Sequence, residues 1–390
     1  MALTRLGIVD LHSHFPMHID ASTSGAALRA MTRRRRKSFG EYVRAVVLDI
    51  ASRLFNYRTV ESGPSVTLHK LRAGHVGVAL SVLYQAFDEL DVEHTFDADP
   101  RQAYFEDLLA DLERVERYVH AKQVPYVAVA HNPSELQKAL DEGKTALVHA
   151  VEGGFHFGGT AAEVTANVAE IARRGVAYIT VAHLFYRGVA TNAPALPFLP
   201  DWVYRLLFPQ PNLGLTPLGG ALVDAMVEHK ILVDVTHMSE RSTLDALARI
   251  PADVPVFATH IACRFGSYAY NLTDDIIKGI AAHGGVMGVI LCDHFANEGR
   301  GQTKTFAESF DAIKRQIDHI YDLTGTHDHT AIGTDLDGFI KPTLHGLGDA
   351  SNLVRLEEAL VEHYGPSVAE QICNGNALKV LLGYWRGRSV

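Results

Sequence analysis

Short apolar runs, most of them unbroken rather than alternating, recur along the chain and are separated by longer amphipathic stretches. They fall near residues 7–11, 76–83, 145–151, 176–182, 231–236, 254–259, 285–291 and 330–334. An unbroken apolar strand is what a parallel sheet buried on both faces requires. Between the runs the hydrophobic period lengthens to that of a helix. Phe310, Ile313, Ile317 and Ile320 share one face, Thr305 with Glu308 offers a capping box, and Gly325 ends the segment. Asn132-Pro133-Ser134-Glu135 starts a helix over 133–142, and an extra short run, Pro125 to Ala130, stands just before it. Thr273-Asp274-Asp275 places a cap and two acids at the start of the helix ahead of strand 285–291. Eight such strand–helix units predict an α/β fold, a (β/α)8 TIM barrel formed as one domain over residues 1–390. Two stretches break the rhythm: 16–65 after the first strand, and 184–220, rich in Pro, Gly and aromatics, after the fourth. Both leave strand ends that would face the barrel mouth, so they read as walls or lids.

Composition narrows the function more than the fold. The net charge of -9 argues against general nucleic-acid binding, and the one basic run, Arg33-Arg34-Arg35-Arg36-Lys37, reads as a solvated helix face. It could instead contact an acidic substrate or a partner subunit, so a homodimer stays open. Cys263, Cys292 and Cys373 are odd in number and widely spaced, which is no disulfide framework and points to a reducing compartment, the cytoplasm. No secretory signal is visible, and no apolar run reaches the roughly 18 residues that span a bilayer. The expected partner is a small-molecule substrate, with neither nucleic acid nor membrane.

The chemistry stands at the ends of the apolar runs. His12 and His14 close Gly7 to Leu11, Glu152 closes Thr145 to Val151, His237 follows Ile231 to Thr236, His260 follows Pro255 to Thr259, and Asp335 follows Ala331 to Thr334. Groups at the C-terminal ends of parallel barrel strands converge on one mouth. Four imidazoles and two carboxylates can hold two divalent cations and leave positions open for water. His12 and His14, two apart on a strand, point to the same side and can share one ion. Glu152, before Gly153-Gly154, can bridge both ions, and His237 and His260 can complete the second with it. Asp335 can bind an ion and also exchange a proton with water. Asp337 reads as a turn residue with Gly338. His183, ending the fourth strand, is free to polarise a carbonyl. His327 and His329 share the spacing of His12 and His14 but precede the last strand, so they belong to the opposite end of the barrel.

These residues resemble the membrane dipeptidase (renal dipeptidase) family of the amidohydrolase superfamily, and the likeness covers nearly the whole chain. It rests on Leu68-His69-Lys70-Leu71-Arg72-Ala73-Gly74-His75-Val76-Gly77, Val151-Glu152-Gly153-Gly154, Asp234-Val235-Thr236-His237-Met238-Ser239, Thr259-His260, Gly333-Thr334-Asp335-Leu336-Asp337-Gly338 and Asn374-Gly375-Asn376-Ala377-Leu378-Lys379-Val380, in order. The resemblance implies two zinc ions bridged by Glu152. His12 and His14 would join Asp335 on one ion, His237 and His260 would hold the other, and His183 would polarise the scissile carbonyl. The chain departs from the family twice. The family has His-x-Asp where this chain has His12-Ser13-His14. It also has an arginine for the substrate carboxylate where Tyr270 precedes Asn271, with Arg264 in the same loop as a substitute.

The expected activity is hydrolysis of an amide bond in a small dipeptide-like substrate, with Asp335 and His183 catalytic and His183, Tyr270 and Arg264 contacting substrate. The nearest rivals keep the site and change the substrate: an N-acyl amino acid, a lactone, a deamination or a decarboxylation. Imidazole-rich ligation favours zinc, with manganese, iron and cobalt as competitors.

Overall fold

The computed structural model describes residues 3–19, 64–89, 100–197, 199–338 and 342–387. Nine parallel strands make one sheet. They are β1 (Ile8–Ser13), β2 (Val76–Leu83), β3 (Val127–Ala130), β4 (Thr145–Glu152), β5 (Tyr178–Thr180), β6 (Leu232–Asp234), β7 (Val256–Ile261), β8 (Val286–Val289) and β9 (Thr330–Ile332). The order is β2-β1-β9-β8-β7-β6-β5-β4-β3, and β2 also pairs with β4, so all but β3 close into an eight-stranded barrel ringed by helices. One edge of β4 bonds β2 over residues 146–151. The other edge is shared, with β3 on residues 145–148 and β5 on residues 151–152. The extra run at Pro125 to Ala130 is therefore a strand outside the closed ring.

The barrel strands are buried almost throughout, which is why their sequences carry no alternation. The helix over Phe306–Thr324 has both halves of the Thr305–Glu308 capping box and ends on Gly325 in the left-handed conformation. The helix at Asp274–Ala282 differs from expectation in one respect: Thr273 stands at its cap position, but the side chain makes no capping hydrogen bond. Its acids Asp274 and Asp275 do occupy the first turn, where the helix dipole favours them.

The C-terminal signature fastens the end of the barrel opposite the mouth. Residues Gln371–Gly375 form a π-helical turn that leads into the helix Asn376–Gly383. The Asn374 amide donates to the Gly7 carbonyl at 3.0 Å, just before β1. The Asn376 amide donates to Thr330 at 2.8 Å and His327 at 2.6 Å, at the start of β9. His329 lies at this same end, its Nδ1 2.9 Å from the Gly285 carbonyl.

Of the two stretches outside the strand–helix rhythm, residues 20–63, with the basic run Arg33 to Lys37, lie outside the described residues. The second stretch contains a short helix, Asp201–Leu207, is closed on itself by a bridge between Ala190 and Leu215, and is tied to the segment after β6 by a bridge between Asn192 and Met238. Ala193 donates its backbone N–H to the His237 carbonyl at 2.7 Å, which sets this segment against the mouth. Among the described residues, no helix is long and apolar enough to cross a membrane.

Candidate metal centre

Two irregular strands aim the histidines. In the pairing of β1 with β2, Asp10 pairs Ala79 and Ser13 pairs Ser81, so Leu11 and His12 together oppose the single residue Leu80. In the pairing of β7 with β8, Ala258 pairs Met287 and Ile261 pairs Val289, so Thr259 and His260 together oppose the single residue Gly288. His12 and His260 sit in these one-residue bulges, a device that re-aims a side chain. His237 and Asp335 follow their strands with φ of 66° and 54°, in the left-handed region that non-glycine residues rarely adopt. Gly338 allows Asp335 its place, since a Cβ there would stand 2.0 Å from Asp335 Oδ1.

The six residues expected as ligands meet at one point. His12, His14 and Asp335 offer donor atoms within 4.8 Å of one another, and so do Glu152, His237 and His260. Glu152 lies between the two groups. Its Oε1 is 3.3 Å from His12 Nε2 and 3.6 Å from the Nε2 atoms of both His237 and His260, and its Oε2 is 3.4 Å from His14 Nε2. His14 Nε2 is 3.1 Å from Asp335 Oδ1. His237 and His260 bring their Nε2 atoms to 2.9 Å, and His12 and His14 bring theirs to 3.3 Å.

The chemistry of this donor set fits divalent cations. Both Glu152 oxygens are buried and, among the described residues, neither makes a hydrogen bond, although His183 Nε2 lies 3.2 Å from Oε2. A buried carboxylate without hydrogen bonds is costly, and imidazole lone pairs facing each other repel; a cation between them resolves both. Burial, with His183 for His237 and His12 for His260, holds both imidazoles well below their usual pKa, so they are neutral, the form that ligates. Burial alone would raise the Glu152 pKa, but the charges of His183, His12 and His14 outweigh it and keep the group ionised. A further grouping of His12, Asp234 and His260 is geometrically close. Asp234 is not available as a ligand, because its carboxylate already accepts from Thr180, Thr236 and Thr259 side chains and from the Thr236 and Thr259 backbone.

Groups with no motif of their own orient the histidines. Thr259 Oγ1 gives its hydrogen to Asp234 and so acts as an acceptor toward His260 Nδ1, 2.9 Å away. Tyr178 donates its hydroxyl to the Leu11 carbonyl and lies 2.8 Å from His12 Nδ1, which must then carry the proton. Both rings are thereby left with Nε2 as the free base. Asp10 plays a matching part across β1 and β9, accepting from Thr334 N–H at 2.8 Å and Thr334 Oγ1 at 2.7 Å. Asp337 does more than turn the chain: it accepts from the backbone of Ser65 and Val66. Glu89 was not legible as a site residue, yet it accepts from Tyr84 Oη, His183 Nδ1 and Phe185 N. Burial works against charge on His183, but Glu152 and Glu89 outweigh it and push the pKa up to about 9.

A narrow pocket above the ligands is lined by His14, His183, Leu184, Ala195, His237, Tyr270, Ile290, Phe295 and Asp335. The structure thus brings His183 and Tyr270 to the ligand groups. Tyr270 is buried, donates its hydroxyl to the His260 carbonyl at 2.5 Å and packs edge-on against His237. Arg264 is elsewhere. It lines an adjoining cleft of about 580 Å³ together with Arg205 and Arg241. Its guanidinium is held by the carbonyls of Ala269 and Asn271 and by Glu240.

A Klebsiella pneumoniae protein described as "Uncharacterized protein in pqqA 5'region" is 29% identical over 256 residues, covering 65% of this chain and 87% of that one. The dipeptidase tcpJ of Claviceps purpurea is 22% identical over 325 residues, covering 79% and 69%. Among solved structures, a metallopeptidase from Rhodobacter sphaeroides, liganded with a phosphinate mimic of the dipeptide L-Ala-D-Ala, superposes with a TM-score of 0.68 at 19% identity and covers 97% of this chain and 99% of its own. At that identity the likeness concerns the fold. The profile of the membrane dipeptidase family (Peptidase family M19) matches residues 3–383, and with two metal-binding clusters at the mouth of its barrel the chain belongs to that family, as a metal-dependent hydrolase.

Proposed function

We propose that the chain hydrolyses the amide bond of a small dipeptide-like substrate with two divalent cations, zinc being favoured by the imidazole-rich donors. The observation that carries this reading is the place of Glu152, a buried carboxylate without hydrogen bonds among the described residues, which belongs to the group of His237 and His260 and lies against His12 and His14 of the other. His12, His14 and Asp335 would hold one ion and Glu152, His237 and His260 the other, with Glu152 reaching both. When bound, the cations supply Lewis acidity to the carbonyl and acidity to water.

The protein's own groups do the rest. Asp335, at the rim of the pocket, takes the proton of the attacking water and returns it to the leaving amine. His183, charged because Glu152 and Glu89 flank it, donates to the oxygen that gains negative charge as the carbonyl is attacked. Tyr270, Phe295, Leu184 and Ile290 surround the reacting atoms with apolar surface and exclude bulk water.

Tyr270 favours a second reading of the substrate with the same bond cleaved. It stands where the family carries an arginine for the substrate carboxylate, and no Lys or Arg is among the described residues lining the pocket. The arginines of the adjoining cleft lie beyond a wall of Ala193–Ala195 and Ala269–Tyr270. An amide whose charge lies further from the scissile bond than a dipeptide's C-terminal carboxylate, or one without that carboxylate, suits this layout. A panel of dipeptides, dipeptides amidated at the C-terminus, N-acyl amino acids and lactones, run on zinc-loaded enzyme, tests both. Turnover of amides supports the proposal, and turnover of lactones alone would sink it.

A further inference from the structure

On the outer wall of the barrel a second cluster of ligating groups is unused by the proposed reaction. Glu116 comes from the helix Gln102–Lys122, His131 follows β3 directly, and His149 lies in β4. His149 and Glu152 are three positions apart on the same strand, so they point to opposite faces of it. Glu152 looks into the barrel mouth; His149 looks outward, between the sheet and the helices.

We propose that Glu116, His131 and His149 form a binding site for a divalent transition-metal cation of the zinc class, separate from the centre at the mouth. Their donor atoms lie within 4.8 Å of one another. Glu116 Oε1 is 2.8 Å from His131 Nε2 and 3.6 Å from His149 Nε2. A tetrahedral ion holds its ligand atoms about 3.3 Å apart, so small side-chain movements suffice. His149 is the independent sign that something belongs there. It is fully buried, and neither ring nitrogen has a hydrogen-bond partner among the described residues. A buried imidazole left in that state is disfavoured, and a cation at Nε2 removes the penalty.

The surroundings are those of a metal ligand set. His131 Nδ1 lies 2.8 Å from Glu135 Oε2, so that nitrogen carries a proton, and Nε2 faces Glu116 Oε1 at 2.8 Å, where a cation would take the place of the second proton. A carboxylate behind a ligating histidine is the common supporting arrangement at zinc sites. A cleft of about 570 Å³, lined by Glu116, His120, Gln123, Val127, Val129 and His131 among others, gives an ion and its water a way in. Three protein ligands leave the fourth position for that water. The ion would tie the helix Gln102–Lys122 to β4 and to the segment after β3. The competing occupant is a proton on His131, which satisfies Glu116 and Glu135 but leaves His149 alone.

The test counts metal in the full-length chain after equilibration with zinc and removal of free ion, by inductively coupled plasma mass spectrometry. Glu116 is partly exposed, so Glu116→Gln keeps the fold, and His131→Asn serves as the second variant. Each is expected to hold one equivalent less than wild type, with amide hydrolysis unchanged. Titration with cobalt(II) should show a visible absorption band in wild type that Glu116→Gln lacks. Equal metal content and identical cobalt spectra in wild type and both variants would overturn the site. Because the readout is a difference, it does not depend on how many ions the mouth holds or on what the enzyme cleaves.

Discussion

The Thr259 hydroxyl donates to Asp234 Oδ2 at 2.7 Å, and this bond decides which face of His260 is basic. With its single hydrogen committed, the oxygen offers lone pairs to His260 Nδ1 at 2.9 Å and His12 Nδ1 at 3.3 Å. Both rings then carry their proton on Nδ1. Thr259→Val keeps the shape and removes the acceptor, and outer-shell losses of this kind cost roughly 10- to 100-fold in metal affinity. Zinc competition titration is expected to show that loss with the fold unchanged by circular dichroism. An affinity equal to wild type would mean the tautomer is set elsewhere.

Asp335 has both a ligand position and a place on the pocket wall. Asp335→Asn leaves an oxygen for ligation but none that can carry a proton. Turnover should fall by ~10²–10⁴-fold while metal content by mass spectrometry stays close to wild type. Near-normal turnover would remove Asp335 from proton transfer.

Glu89 touches no metal-ligand group directly, but its carboxylate receives His183 Nδ1 at 2.6 Å and Phe185 N at 3.0 Å. Glu89→Gln keeps the size and withdraws one of the two charges, with Glu152, that hold His183 protonated. The expected result is a kcat lower by about 10- to 100-fold with little change in KM, and a basic limb of the kcat profile moved to lower pH. A drop in KM alone, or an unmoved basic limb, would assign Glu89 a purely structural part.

His156 provides a pH test away from the ligands. Its Nδ1 is 2.7 Å from the Gly153 carbonyl, the Gln85 N–H donates to its Nε2, and burial lowers its pKa to about 4. The unfolded chain takes up the proton near pH 6.5 while the folded one resists it until about 4. Stability is therefore intact above pH 6.5 and declines as pH falls through that window. The decline is about 2 kcal/mol between pH 6.5 and 5 from this residue alone. Urea unfolding of wild type and His156→Asn at both pH values measures it. The variant is expected to lose correspondingly less, and equal losses would place the acid sensitivity in other groups.

Much of this was open to reading in the chain itself. Continuous apolar runs announce buried parallel strands because both faces of a barrel strand are covered, and residues at their ends must share a mouth. The family motifs pick out His12, His14, Glu152, His237, His260 and Asp335 for the same reason. Strand ends were less legible. His260 lies inside β7 rather than after it, and β6 stops three residues short of His237. Hydrophobicity continues past the last ladder bond, so it does not mark where pairing stops.

The order of residues alone therefore determined the barrel, the set of groups that gather at its mouth, and the reaction class these groups serve. Tertiary structure decided what local pattern cannot carry. Glu89 stands 94 positions from His183 and Tyr178 166 from His12, and only chain closure makes them neighbours. The placing of Arg264 outside the pocket and the bulges that aim His12 and His260 depend on the same closure, while the pairing of Glu116 with His131 and His149 needs the helix Gln102–Lys122 set beside β3 and β4. A side chain's type is written in sequence; its hydrogen-bond partner, and hence its proton, is settled by what folding brings within 3 Å or so of it.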